Sequence, residues 1–115
     1  MANGTVKAIW GEMRENAARS ATEHGGLDQL ANCLALLRNK LRNTDLEVHL
    51  VGHSAGSILL GHLLPLLAAP RNGAGMVKVT SCSLYAAACS MRFAVEKYLK
   101  QGRRVLRSED IHLHY

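Results

Sequence analysis

Glu47-Val48-His49-Leu50-Val51-Gly52-His53-Ser54-Ala55-Gly56-Ser57-Ile58-Leu59-Leu60 is the stretch that decides how this chain is read. A short β-rich run, Leu46 to Val51, leads directly into Gly52, and an apolar run, Ser54 to Ala69, follows as a helix with Pro65 kinking or dividing it. Between them stands Gly-x-Ser-x-Gly, as Gly52-His53-Ser54-Ala55-Gly56. A strand that turns sharply into a helix strains the serine backbone and lifts its hydroxyl clear of the sheet. Side chains two positions before and after the serine are expected to collide in that turn, so Gly52 and Gly56 are both expected to be required. Ser54 then sits at a helix N-terminus, where the Ala55 backbone N–H can donate to a developing oxyanion.

Upstream, Val6, Ile9, Trp10, Met13 and Ala17 recur at helical spacing, with Thr5 as the expected N-cap and Gly25-Gly26 as the stop. Leu27, Leu30, Leu34, Leu37 and Leu41 form the apolar stripe of a second helix, Leu27–Arg42, and Asn43-Thr44-Asp45 is a turn. Downstream, residues 70–75 read as a loop, Met76–Tyr85 as a second strand, Arg92–Lys100 as a short helix and Glu109–Tyr115 as a third strand. Strand and helix alternating in this way predict an α/β fold with a parallel sheet and crossover helices. The 115 residues are expected to form a single domain.

Composition narrows the function classes. The longest apolar stretch, Ile58 to Ala69, is interrupted by Gly61, His62 and Pro65 and is too short to span a bilayer. The N-terminus lacks the basic start and apolar run of a secretory signal, so a soluble, cytoplasmic protein is expected. Three cysteines, Cys33, Cys82 and Cys89, make no disulfide framework and are expected to be buried reduced thiols. The net charge of +5 comes from scattered residues apart from Lys97, Lys100, Arg103, Arg104 and Arg107. That cluster carries no aromatic interleaving beyond Tyr98 and reads as a solvated helix end, not a nucleic-acid surface.

Val-His-Leu-Val-Gly-His-Ser-Ala-Gly-Ser resembles the nucleophile elbow of serine esterases, lipases and thioesterases of the α/β-hydrolase fold. Leu84-Tyr85-Ala86-Ala87-Ala88-Cys89 resembles a stretch after the next strand in some bacterial hydrolase-like proteins, where a proline commonly stands at the position of Ala87. The resemblance implies a truncated α/β-hydrolase-like three-layer sandwich with a short parallel sheet and flanking helices. It also implies Ser54 as nucleophile, Ala55 as oxyanion-hole donor, His53 as an elbow residue near the pocket, and a small-molecule ester or thioester as substrate. In that family an acid and then a histidine follow the serine, so the chain is expected to stop before a complete triad.

Six histidines raise the question of a substitute base. His24 lies in a loop, His49 shares a strand face with Glu47 and Val51, and His62 lies two helical turns beyond the elbow. Asp110, His112 and His114 alternate on one face of the last strand, opposite Ile111, Leu113 and Tyr115. That face is read as a polar terminal strand. The same spacing also suits a metal, but with no third ligand in sequence reach neither metal nor cofactor is assigned. His112 or His114 remains the candidate base of an improvised triad, within one chain or across a dimer. Two functions stay open: a serine hydrolase of esters or thioesters, and a non-catalytic binding or assembly module on the same scaffold. The strand Leu46–Val51 is expected to present an unpaired edge and to drive self-association.

Overall fold

The elbow stretch forms strand, turn and helix in the computed structural model, which describes residues 2–41, 46–71, 73 and 75–115. In chain order the elements are α1 (Ala2–Ser20), α2 (Gly26–Leu41), β1 (His49–His53), α3 (Gly56–Ala68), β2 (Ser81–Tyr85), α4 (Met91–Ala94) and β3 (Ile111–His114). Past Ala94 the helix widens into a π-helical segment, Val95–Gln101, closed by the Gly102 N–H donating to the Lys97 carbonyl at 2.8 Å. A 3-10 turn, Ser108–Asp110, leads into β3. The fold is mixed α/β, as the alternation of apolar runs predicts.

The three strands lie in the order β1-β2-β3 and are parallel throughout. Leu50 pairs with Cys82 and Gly52 with Leu84, and these in turn stand beside Ile111 and Leu113. Val48, Leu50, Cys82 and Leu84 meet Leu63, Leu64 and Leu67 of α3 in one buried cluster. Each fully buried leucine there contributes roughly 1.5–3 kcal/mol over leaving it exposed. Burial raises the Cys82 thiol pKa to about 11, which makes it an unreactive core group.

The other face of the sheet is open. His49, Val51 and His53 are exposed on β1, with Val51 retaining 67% of its surface, and Tyr85, His112 and His114 are exposed beside them. The described residues therefore build two layers, and the second helical layer of the expected three-layer sandwich is not among them. The reason is topological. Crossovers between parallel strands are right-handed, so strands added in one direction place both connecting helices on the same face.

Several boundaries differ from expectation. β1 begins at His49 and includes Gly52 and His53, and β2 begins only at Ser81. Residues 75–79 are irregular yet Val77 and Val79 are buried, because their N–H groups donate to Leu67 and Val105. Thr5 lies inside α1 and is not its N-cap. On α2 the buried stripe is Leu27, Ala31 and Ala35, whose small side chains suit close packing on α3, while Leu30, Leu37 and Leu41 are exposed. On α1, Val6, Ile9 and Met13 are likewise exposed. Cys33 is exposed and Cys89 half-buried, so only Cys82 is a buried thiol. The expected turn Asn43-Thr44-Asp45 and the end of the second helix at Arg42 lie outside the described residues.

α2 is tied to the far end of α3. The Arg71 guanidinium donates to Asp28 Oδ1 at 2.7 Å, to Asn32 Oδ1 at 2.8 Å and to the Asp28 carbonyl at 3.2 Å. The Arg71 bond to Asp28 Oδ1, with the His24 N–H donating to Asp28 Oδ2, holds the Asp28 carboxyl below its ordinary pKa. Among the described residues no helix is long and apolar enough to cross a membrane.

Candidate active site at the Ser54 turn

Ser54 joins β1 to α3 with φ of +52°, in the left-handed region that a side-chain-bearing residue adopts only at a cost of about 1–3 kcal/mol. Its surroundings hold it there. The Ser54 N–H donates to the Tyr85 carbonyl at 2.9 Å, continuing the β1–β2 ladder one residue past the strand. Its carbonyl accepts from the Ser57 N–H at 3.1 Å, from Ser57 Oγ at 2.8 Å and from the Ala88 N–H at 3.3 Å. Ser57 Oγ also accepts from the Ala88 N–H at 3.2 Å. Ser57 is the one polar side chain wholly buried among the described residues. Tyr98, 3% exposed, donates its phenolic hydroxyl to the Ser57 carbonyl at 2.6 Å, and burial raises its pKa well above the usual range. Ser57, Ala88 and Tyr98 were not singled out by motif reasoning; the hydroxyl three residues past Ser54 is the only local signal.

The two motif glycines are unequal. A Cβ on Gly52 would stand 2.9 Å from Leu60 Cδ1 and 3.2 Å from the Gly56 carbonyl carbon. A Cβ on Gly56 would meet nothing within 4 Å. Gly52 thus stands where helix and strand approach closely and a side chain would crowd Leu60 and Gly56, and the expected collision at Gly56 is not met.

Ser54 is half-buried, and its hydroxyl makes no hydrogen bond with a described residue. The Ala55 N–H, at the start of α3, likewise donates to no described residue. Beside it a mainly apolar cavity of about 400 Å³ opens between α1 and α3, lined by Met13, Ala17, Ala55, Gly56, Ile58 and Leu59 together with the polar Asn16 and Ser20.

No described histidine reaches the Ser54 hydroxyl. His53, His112 and His114 all lie on the open face, as the strand alternation predicts. His53 pairs with Tyr85 and Tyr85 with His114, so His114 stands two strands, about 10 Å, from the strand that carries the elbow. Its ring is stacked on Tyr85 with centroids 4.4 Å apart. His112 lies one row lower, beside Ser83. Neither makes a hydrogen bond to Ser54 among the described residues. The serine that does meet a histidine is Ser81, whose Oγ shares a 2.7 Å hydrogen bond with His49 Nδ1, while His49 Nε2 is 3.5 Å from Glu47 Oε2. That series is exposed and lies at the opposite strand end from Ser54.

Among the described residues no group of three His, Cys, Asp or Glu is arranged to hold a metal ion. In the basic cluster, Lys100 pairs with Glu96, and Arg107 with Glu109 and Asp110, the last at 2.9 Å. No family model, curated protein or solved structure matches the chain.

Proposed function

We propose that this chain carries the nucleophile-bearing turn of a serine hydrolase acting on carboxylic esters or thioesters, in a fold of the α/β-hydrolase type. The observation that carries this reading is the positive φ of Ser54 at a strand-to-helix junction, beside an unpaired Ala55 N–H. Four hydrogen bonds to the Ser54 backbone hold this turn, which has the strand-to-helix geometry that a nucleophile elbow requires. A serine hydroxyl without a base is a poor nucleophile at neutral pH. The acid and base therefore lie outside the described contacts, either elsewhere in the polypeptide or on His112 or His114 of a second copy.

A second reading, a binding or assembly module on the hydrolase scaffold, is favoured by one observation: no described side chain hydrogen-bonds to the Ser54 hydroxyl. Treatment with a fluorophosphonate and peptide mapping separates the two. The hydrolase reading expects slow modification at Ser54, lost in Ser54→Ala. Loss of the same labelling in His112→Ala or His114→Ala identifies the substitute base. Modification confined to Ser81, and lost in His49→Ala, overturns the assignment of Ser54. No modification at all favours the binding module.

A further inference from the structure

A second cavity, of about 370 Å³, lies on the other side of the α1–α3 contact, between α1, the start of α3 and the segment that carries Ala88 and Phe93. Its apolar surface comes from Trp10, Ile58 and Phe93, and Cys89 and Ser90 also line it. Its charged lining is wholly basic: Arg14 from α1 and Lys97 from the π-helical segment, with no carboxylate among the lining residues. Neither cation has an ion-pair partner among the described residues. Lys97 Nζ meets only the neutral Gln101 Oε1, at 3.3 Å.

We propose that this cavity binds a small amphipathic carboxylate, its apolar body against Trp10, Ile58 and Phe93 and its carboxylate between Arg14 and Lys97. Charge complementarity selects the sign of the occupant, because two unpaired cations at an apolar wall favour an anion and repel an organic cation. The cavity falls within the range of sites that enclose small organic ligands, which are mostly apolar with a few placed polar groups. Arg14 supplies a planar fork that accepts a carboxylate in bidentate fashion, and Lys97 adds a point charge. His62, edge-on to Phe93 with centroids 5.2 Å apart, also lines the site. Burial, and then Lys97, lowers its pKa, so at neutral pH it presents a neutral ring.

The site adjoins the elbow through Ala88, whose N–H donates to the Ser54 carbonyl and which also lines the cavity. The choice of carboxylate over phosphate rests on the ester and thioester reading, since such a hydrolase releases a carboxylic acid. Binding itself does not require the Ser54 hydroxyl.

Trp10 is the chain's single tryptophan, so its fluorescence reports occupancy directly. Titration of the full chain with sodium octanoate is expected to change Trp10 emission saturably. Octanol and octyltrimethylammonium are expected to bind at least about tenfold more weakly, the scale of one lost charge-assisted hydrogen bond. Arg14→Gln and Lys97→Gln, each with unchanged circular dichroism, are expected to weaken octanoate binding about tenfold, and Ser54→Ala to leave it unchanged. The proposal is overturned if octanol binds as well as octanoate, if neither charge-removing variant alters the affinity, or if no saturable change occurs. Tighter binding of octyl phosphate than of octanoate overturns the carboxylate assignment. Octanoate binding that persists when fluorophosphonate leaves Ser54 unmodified keeps the site and removes the hydrolase.

Discussion

The phenolic oxygen of Tyr98 lies 2.6 Å from the carbonyl oxygen of Ser57 and donates to it, joining the π-helical segment to the first turn of the elbow helix. Ser57 passes the restraint on, because its hydroxyl holds the Ser54 carbonyl and accepts from Ala88. The ring of Tyr98 reaches this position over Gly61, where a Cβ would stand 3.2 Å from Tyr98 Cε2 and would clash with Phe93. Tyr98→Phe keeps that packing and removes one buried hydrogen bond, so it is expected to destabilise the chain by about 1 kcal/mol in urea unfolding. Ser57→Ala removes two hydrogen bonds while the Ser54 carbonyl and the Ala88 N–H keep each other as partners, and at about 0.5–1.5 kcal/mol each it is expected to cost about 1–3 kcal/mol. Equal midpoints for wild type and Ser57→Ala would show that the hydroxyl is not what maintains the turn.

The motif glycines offer an asymmetric test. Gly52→Ala forces a methyl against the backbone of Gly56 and is expected to cost about 1–3 kcal/mol by overpacking. Gly56→Ala enters open space on a helical turn without a positive φ, and is expected to be neutral or to stabilise by up to about 1 kcal/mol. Thermal unfolding of the two variants decides the matter. Equal losses would mean that the turn tightens around both positions.

Acid stability has a signed expectation at His62. Burial, followed by Lys97, places its folded-state pKa below the ordinary value of 6.5. The unfolded chain then binds the proton first, so this contribution is full above pH 6.5 and is lost as pH falls through the lower folded value. His62→Gln is expected to flatten the decline in melting temperature across that window. A decline of the same slope in the variant would place its origin in other groups.

Asp28 gives a second, more acidic step. Its pKa is lowered by the Arg71 guanidinium and the His24 N–H, so the stability it provides is present above pH 3.8 and disappears as pH falls through the lowered value. Asp28→Asn is expected to melt below wild type at pH 7, with the difference closing at acid pH. A difference independent of pH would assign the loss to packing.

Among the described residues both sheet edges are free in the strand order β1-β2-β3, and the face bearing His49, Val51 and His53 is uncovered. Such edges template pairing with another chain. Light scattering after gel filtration at micromolar concentration is expected to show a dimer or larger species. A stable monomer would mean that the free edge does not recruit a second chain.

What the sequence determined by itself was local. A β-rich run, a Gly-x-Ser-x-Gly turn and an apolar helix specify the junction at Ser54, because steric strain and helix entry act over a few residues. Strand alternation likewise assigned His112 and His114 to one face. The tertiary structure decided everything that depends on distant neighbours. Val77 and Val79 have the composition of a strand, yet they lie outside β2 because Leu67 and Val105 take their N–H groups. Leu30, Leu37 and Leu41 of α2 yield their place to Ala31 and Ala35, since close contact with α3 suits small side chains. Tyr98 meets Ser57 across 41 residues, and Ser81, not Ser54, meets a histidine. Periodicity records which side of its own element a residue occupies, but the partner on that side is set by how the helices and strands pack.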